Sequence, residues 1–354
     1  MKNIPIGPVG FQDMSGSLRL VELRIPFNNR FSNSYATLSE RTVVLVGLTE
    51  DGLTGWGEAA PYPGLATETV EEVWEALSTR REDLPTTARV ALEQAGFDLA
   101  ARRKGVPLWS HLGGSGQAVP ACAAIGLQET PSRLVARVDR MVYAGVRQVK
   151  IKIEPGRDTH WLEETLRKHP ALSIAADANG SYRIENPALA ALDELGLAYI
   201  EQPLPAGAID DHAELRRRLA TPICLDESAP TIESVGRIID SQAADLVSLK
   251  PAILGIASTL SAIEMLVESG LEVKIGGLVE TSVGRSHSLA IASRPQVSRT
   301  DLVPPTWLLS ADPSPNRWEL TDGLLAPFGL EGMEVDPDRP PINGYVIRTA
   351  SFVY

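Results

Sequence analysis

Lys152, Asp177, Glu201, Asp226 and Lys250 stand near the ends of five successive predicted strands. The carboxylates are spaced 24 and 25 residues apart, and Lys250 follows Asp226 by another 24. One strand, one helix and two short loops take about that many residues. The chain therefore repeats a βα unit and places an acid or a lysine at the same point of each turn. In a closed parallel barrel those points converge on one mouth. Three carboxylates there offer hard oxygen donors to Mg²⁺, with Mn²⁺ as a substitute. Two lysines flanking the cation would move a proton.

The sequence around each residue supports this placement. In Val149-Lys150-Ile151-Lys152-Ile153 the aliphatic residues share one face of a strand, so Lys150 and Lys152 share the other and point into the barrel. A closed barrel has no edge at which a lysine face would be solvated. Crowded ammonium groups depress one another's pKa, which would suit a base working near neutral pH. Asp177 opens Asp-Ala-Asn-Gly, a pattern that by itself reads as a turn or cap. Glu201 follows an apolar run and is pinned by Pro203, and Asp226 precedes Glu227-Ser228, where it could also cap a helix. Each signal is weak alone, but independent caps need not keep the period. Pro251 holds Lys250 extended at its strand end. Gly276 and Gly277, with Glu280 close behind, follow the seventh predicted strand, where paired glycines let N–H groups approach an anion. None of the five histidines falls at a predicted strand end, and there is no phosphate-loop pattern or zinc-type cysteine pair.

The elements that must hold these groups are legible in outline. The βα rhythm begins from Val119; after that first stretch Val146–Ile153, Leu172–Asp177, Leu197–Glu201, Pro222–Asp226, Leu246–Lys250 and Leu271–Gly276 read as short buried strands, with Val297–Val303 as the eighth. Trp161–Lys168 and Ser258–Glu268 read as helices between them. The earlier part differs: Arg41–Leu48 and Thr54–Glu58 form a hairpin pattern, and two helices follow, Thr67–Leu77 and Thr86–Lys104. The expected division is a tail over 1–17, an α+β capping domain over 18–114, a barrel over 119–320, and a segment over 321–354 whose strand Tyr345–Arg348 returns to the first module.

Composition bounds the class. A barrel takes about 250 residues, which leaves roughly 100 of the 354 for the cap. A hydrophobic share of 44% suffices for a large core, and no run of 18 apolar residues suggests a membrane span. The formal charge of −12 argues against nucleic acid and anionic membranes as partners. Cys122 and Cys224 lie in apolar strand-like segments, so thiols in a reducing cytoplasm are expected.

With these residues in place, the chain resembles the enolase superfamily in its muconate-lactonizing subgroup. Lys150-x-Lys152, the Asp177/Glu201/Asp226 set and Lys250 match that pattern one by one, and Trp56-Gly57-Glu58, Glu201-Gln202-Pro203, Asp226-Glu227-Ser228 and Gly276-Gly277-Leu278-Val279-Glu280-Thr281 look like family motifs. The resemblance implies a modified (β/α)₇β barrel under a capping domain, Mg²⁺ held by Asp177, Glu201 and Asp226, and abstraction of the proton α to a carboxylate. It implies Lys152 as base, Lys250 as opposite acid or cation, Lys150 as electrostatic partner, and Asn179 and Glu227 as supporting residues. Lys150, Asn179, Gly276, Gly277 and Glu280 are the expected substrate contacts, and Arg30 to Tyr35 the expected lid. Within the subgroup the pattern is most similar to the o-succinylbenzoate synthase family, whose substrate is a small carboxylate. N-succinylamino acid racemases, dipeptide epimerases and muconate-type cycloisomerases share the set. A homo-oligomer is compatible with it. A Schiff-base aldolase barrel is the rival from another reaction class.

Overall fold

The computed structural model describes residues 16–32, 37–316, 318–330 and 332–353, without side chains at 30–32. Most of the expected tail and lid loop lies outside the described residues. Two sheets organise the rest.

The first is antiparallel, in the order Val346–Val353, Ser17–Ser32, Thr37–Glu50, Leu53–Ala59. The last strand pairs with the first from Ser17↔Val353 to Leu23↔Val346, so the chain's end does return to its start. Helix Thr86–Lys104 packs across Leu53–Ala59 so closely that a Cβ at Gly55 or Gly57 would lie 2.2 Å from Ala95 O or 2.0 Å from Ala91 O. Glycine is required at both positions because any side chain would push the helix away. The strand's open edge is finished by the same helix: Asp98 accepts from Trp56 N at 2.9 Å and Gln94 from Glu58 N at 3.0 Å.

The second sheet holds eight parallel strands in sequential order: Cys122–Ile125, Gln148–Lys152, Ser173–Asp177, Ile200–Glu201, Ile223–Leu225, Leu246–Leu249, Glu272–Ile275 and Val297–Thr300. Helices lie between successive strands, which gives the expected (β/α)₇β order. The first and eighth strands are drawn together by Cys122 N donating to Leu302 O at 3.1 Å. Val149, Ile151 and Ile153 are buried in the outer core, as the alternation with lysine requires. Observed strands are shorter than the apolar runs in the sequence because pairing stops where the residues turn into the helices. Cys122 and Cys224 are buried free thiols. The short hairpin formed by Leu320–Thr321 and Leu324–Leu325 pairs with Val119–Pro120 beside the barrel. Among the described residues no helix is long and apolar enough to cross a membrane.

Candidate active site

Strand register builds the site. Lys152 is the register partner of Asp177, and Asp177 of Glu201, so three adjacent strand ends carry a lysine and two acids side by side. Glu201 pairs with Cys224, two residues before Asp226. Lys250 leaves the sixth strand and starts the short helix Pro251–Leu254. A cavity of about 940 Å³, counted with its open mouth, is lined by Lys150, Lys152, Asp177, Asn179, Asp226 and Lys250. The second and sixth strands thus present Lys152 and Lys250 to one space from across the barrel.

The side chains form an ion-pair network. Lys150 Nζ lies 3.1 Å from Asp177 Oδ2 and 2.8 Å from Asp301 Oδ2, and donates to Glu201 Oε1. Lys152 Nζ lies 3.1 Å from Asp177 Oδ2 and donates to Asn179 Oδ1. Asn179 in turn donates to Glu227 at 2.8 Å. Lys250 donates to Asp226. Lys274, fully buried, donates to Glu201 Oε2 and lies 2.7 Å from Asp301.

This network corrects one expectation. Crowding was to depress Lys150 and Lys152, yet Lys150 is raised, and so is Lys250 across the barrel. Burial opposes their charge, but Asp177, Asp301 and Glu201 around Lys150, and Asp226 and Glu227 around Lys250, outweigh it. On the acid side, burial pushes Glu201 up to about 7 against the pull of Lys150 and Lys274. Burial also opposes ionisation of Asp301, but Lys150 and Lys274 bring it down to about 2. Burial likewise opposes the Asp177 charge, and Lys150 and Lys152 draw it well below the carboxylate range.

The expected cation site needs the same care. Among the described residues no three His, Cys, Asp or Glu side chains converge as a ready cation cage. The carboxylates arrive at the expected strand ends, but their oxygens turn to the ammonium groups, the nearest positive charges. In chemistry the donor set still fits a hard divalent cation: all-oxygen, anionic, on consecutive strands and beside an open cavity. The ammonium groups occupy the carboxylate oxygens that such a cation would take, so its binding requires that exchange.

Two of the expected substrate contacts lie elsewhere. Gly276 does not line the cavity; its N–H is spent on Leu249 O at 2.9 Å, and a Cβ there would lie 2.8 Å from Ser248 Oγ. Glu280 is fully buried behind the loop, 3.8 Å from Arg285. Gly277 does line the cavity, with Leu278 and Val279. Val279 has φ +60°, a strained value for a β-branched residue, and its carbonyl accepts from Arg41 Nε at 3.3 Å.

Lys274 and Asp301 had no assigned role in the sequence reading, although Lys274 alternates with Val273 and Ile275 just as Lys150 does with its neighbours. Gln202 sits in the Glu201-Gln202-Pro203 motif. Its Oε1 accepts from Asp226 N at 3.1 Å and Ser228 N at 3.2 Å, and its Nε2 donates to Leu204 O at 2.9 Å, which fixes the turn that carries Asp226.

This fold and site define a barrel enzyme class, and the comparisons agree. The family profile described as Enolase C-terminal domain-like matches residues 133–340, and that described as MenC, N-terminal domain matches residues 16–95. The chain belongs to the enolase superfamily. It is 38% identical over 307 residues to an N-succinylamino acid racemase from Thermus thermophilus, covering 79% of this chain and 82% of that one. It is 32% identical over 352 residues to an o-succinylbenzoate synthase from Geobacillus kaustophilus, covering 92% and 93%. A solved enolase-superfamily structure from Listeria innocua superposes with a TM-score of 0.86 at 26% identity, covering 96% of this chain and 99% of that one.

Proposed function

We propose that this enzyme is an o-succinylbenzoate synthase of menaquinone biosynthesis, acting in the cytoplasm. It would dehydrate 2-succinyl-6-hydroxy-2,4-cyclohexadiene-1-carboxylate to 2-succinylbenzoate. The observation that carries the reading is the single cavity lined by Lys152 and Lys250 from opposite strands, with Asp177 and Asp226 beside them.

The α-proton next to a carboxylate is weakly acidic because its removal loads a second negative charge onto that group. Mg²⁺ held by Asp177, Glu201 and Asp226 would supply the neutralising charge on the carboxylate oxygens. Lys152, as the free amine, takes the α-proton and leaves an enediolate. Lys250 remains an ammonium, in keeping with its raised pKa, and faces that charge. Lys152 then returns its proton to the departing 6-hydroxyl, water leaves, and the ring becomes aromatic. Lys150 holds Asp177 and Glu201 in place.

A second reading, N-succinylamino acid racemase as the main activity, is favoured by the 38% identity to the Thermus protein. The same two lysines would serve it, one removing and the other adding the proton. A Schiff-base aldolase with Lys152 or Lys250 as nucleophile is the rival; for Lys250 it is disfavoured, because that lysine donates to Asp226 and is held charged.

The test is a comparison of kcat/KM for dehydration, N-succinylamino acid racemisation and dipeptide epimerisation in one Mg²⁺ buffer. Dehydration is expected to be the fastest. Efficient dipeptide epimerisation with no dehydration would overturn the synthase reading.

A further inference from the structure

The helix after the first barrel strand, Pro131–Tyr143, carries Arg133, Arg137 and Arg140 along one side. Arg133 is bonded to Glu129. Arg137 and Arg140 make no side-chain hydrogen bond or ion pair among the described residues. Arg137 is half-buried and lines two adjoining spaces. One is the active cavity. The other is an outer groove shared with Arg133, Arg140 and Gln128. Ala124 and Leu308 also line both, so the two spaces adjoin at Arg137.

Arg137 shares the cavity lining with the apolar residues Ala123, Met141, Val303, Trp307 and Leu308, and Met141 stands one turn further along its own helix. The cavity's carboxylates, Asp177, Asp226, Glu227 and Asp301, are contributed by other strand ends, and the first three bond with the lysine and Asn179 cluster while Asp301 pairs with Lys150 and Lys274. A half-buried guanidinium with no counterion among the described residues, and with Arg140 nearby, lacks the partner that burial of a charge calls for. Burial, then Arg140, lowers its pKa, the sign of a cation left uncompensated. Its planar fork matches a carboxylate bidentately.

We propose that Arg137 is a specificity-determining residue that binds a second carboxylate of the substrate, distal to the one at the lysines. This rests on the reading above, in which the substrate carries a succinyl arm. It identifies the end of the cavity that takes the arm, and it favours diacids over substrates that end in a neutral or ammonium group.

The test compares wild type with Arg137→Met and Arg137→Lys. Calorimetry measures the Kd of 2-succinylbenzoate and of its analogue in which the succinyl carboxylate is a primary amide. Steady-state assays measure KM and kcat for the succinylated substrates. Wild type should bind the diacid more tightly than the amide. Arg137→Met should shrink that preference by about 10- to 100-fold, the value of a charge-assisted bidentate pair, and raise KM more than it lowers kcat. Arg137→Lys should recover part of the preference. An unchanged preference in Arg137→Met, or no preference in wild type, overturns the proposal. If wild type prefers the diacid through Arg137 but turns over no succinylated substrate, the reaction assignment fails while the diacid site stands.

Discussion

Glu58, on the third strand of the antiparallel sheet, accepts from the Thr281 hydroxyl at 2.6 Å and from Thr281 N at 3.0 Å, in the loop after the seventh barrel strand. It also accepts from Gly284 N at 2.9 Å. The residues just before Thr281, Gly277 to Val279, line the active cavity, so one buried carboxylate ties the antiparallel sheet to a wall of the site. Glu58→Ala would leave these buried donors without acceptors. It should lower unfolding stability by at least about 2 kcal/mol, since one such orphan costs roughly 1–3 kcal/mol. A urea midpoint equal to that of wild type would contradict the link.

Two buried groups should give stability opposite pH slopes. His212 is held neutral: its Nε2 accepts from Leu204 N at 3.2 Å, its Nδ1 donates to Ala208 O at 2.7 Å, and burial lowers it to about 4. Its folded pKa lies below the ordinary histidine value, so its contribution is full above about 6.5 and is lost as pH falls toward 4. Burial raises Glu58 to about 7 from 4.5, so its contribution is full below 4.5 and is lost as pH rises through 7. His212→Gln should flatten the acid limb of a stability–pH curve, and Glu58→Gln the limb near neutrality. Curves superimposable with wild type would remove both assignments.

Lys274 is the counterion of Glu201 and Asp301 at the floor of the site. Lys274→Met should cost about 3–5 kcal/mol, because it breaks a buried ion pair and leaves Lys150 alone to neutralise Glu201 and Asp301. Adding Asp301→Leu should recover part of that loss, since it removes one of the two carboxylates that Lys274 neutralised and leaves Lys150 to the other. Denaturant titration of the single and double variants checks this; additive losses would show that the two side chains are not coupled.

How much of this was legible follows from where each signal lives. The period of the chain was enough to place Lys152, Asp177, Glu201, Asp226 and Lys250 at strand ends, because a parallel barrel converts equal spacing into one mouth. The helix Thr86–Lys104 was readable end to end, since Gly105 and Pro107 stop it. Pairing between distant side chains was not readable. Nothing in the spacing says that Asp301 meets Lys150 and Lys274, or that carboxylates would outweigh the crowding of the lysines. Gly276 looked like an anion cradle because a glycine's open N–H and one used in a sheet look the same in sequence. Arg137 was hidden for a related reason: a charged residue in a helix reads as solvated until the adjoining wall is known.

Mg²⁺ should stabilise the folded enzyme if the strand-end carboxylates take it up in place of the lysines, by an amount set by its concentration relative to Kd. Thermal unfolding should shift upward with added Mg²⁺ in wild type, and the shift should be lost in Asp226→Asn. EDTA should abolish turnover and excess Mg²⁺ restore it. Full turnover in metal-free enzyme would contradict the assigned role of the carboxylates.

The account rests most heavily on Lys152 as the group that moves the proton. The direct measurement is kcat for dehydration of the cyclohexadiene substrate by Lys152→Ala in saturating Mg²⁺, with folding and Mg²⁺ binding verified on the same sample. A loss of at least about 10²–10⁴-fold is expected, the usual range for removing a general base. A Lys152→Ala enzyme that folds, binds Mg²⁺ and turns over at a near-normal kcat would contradict the account.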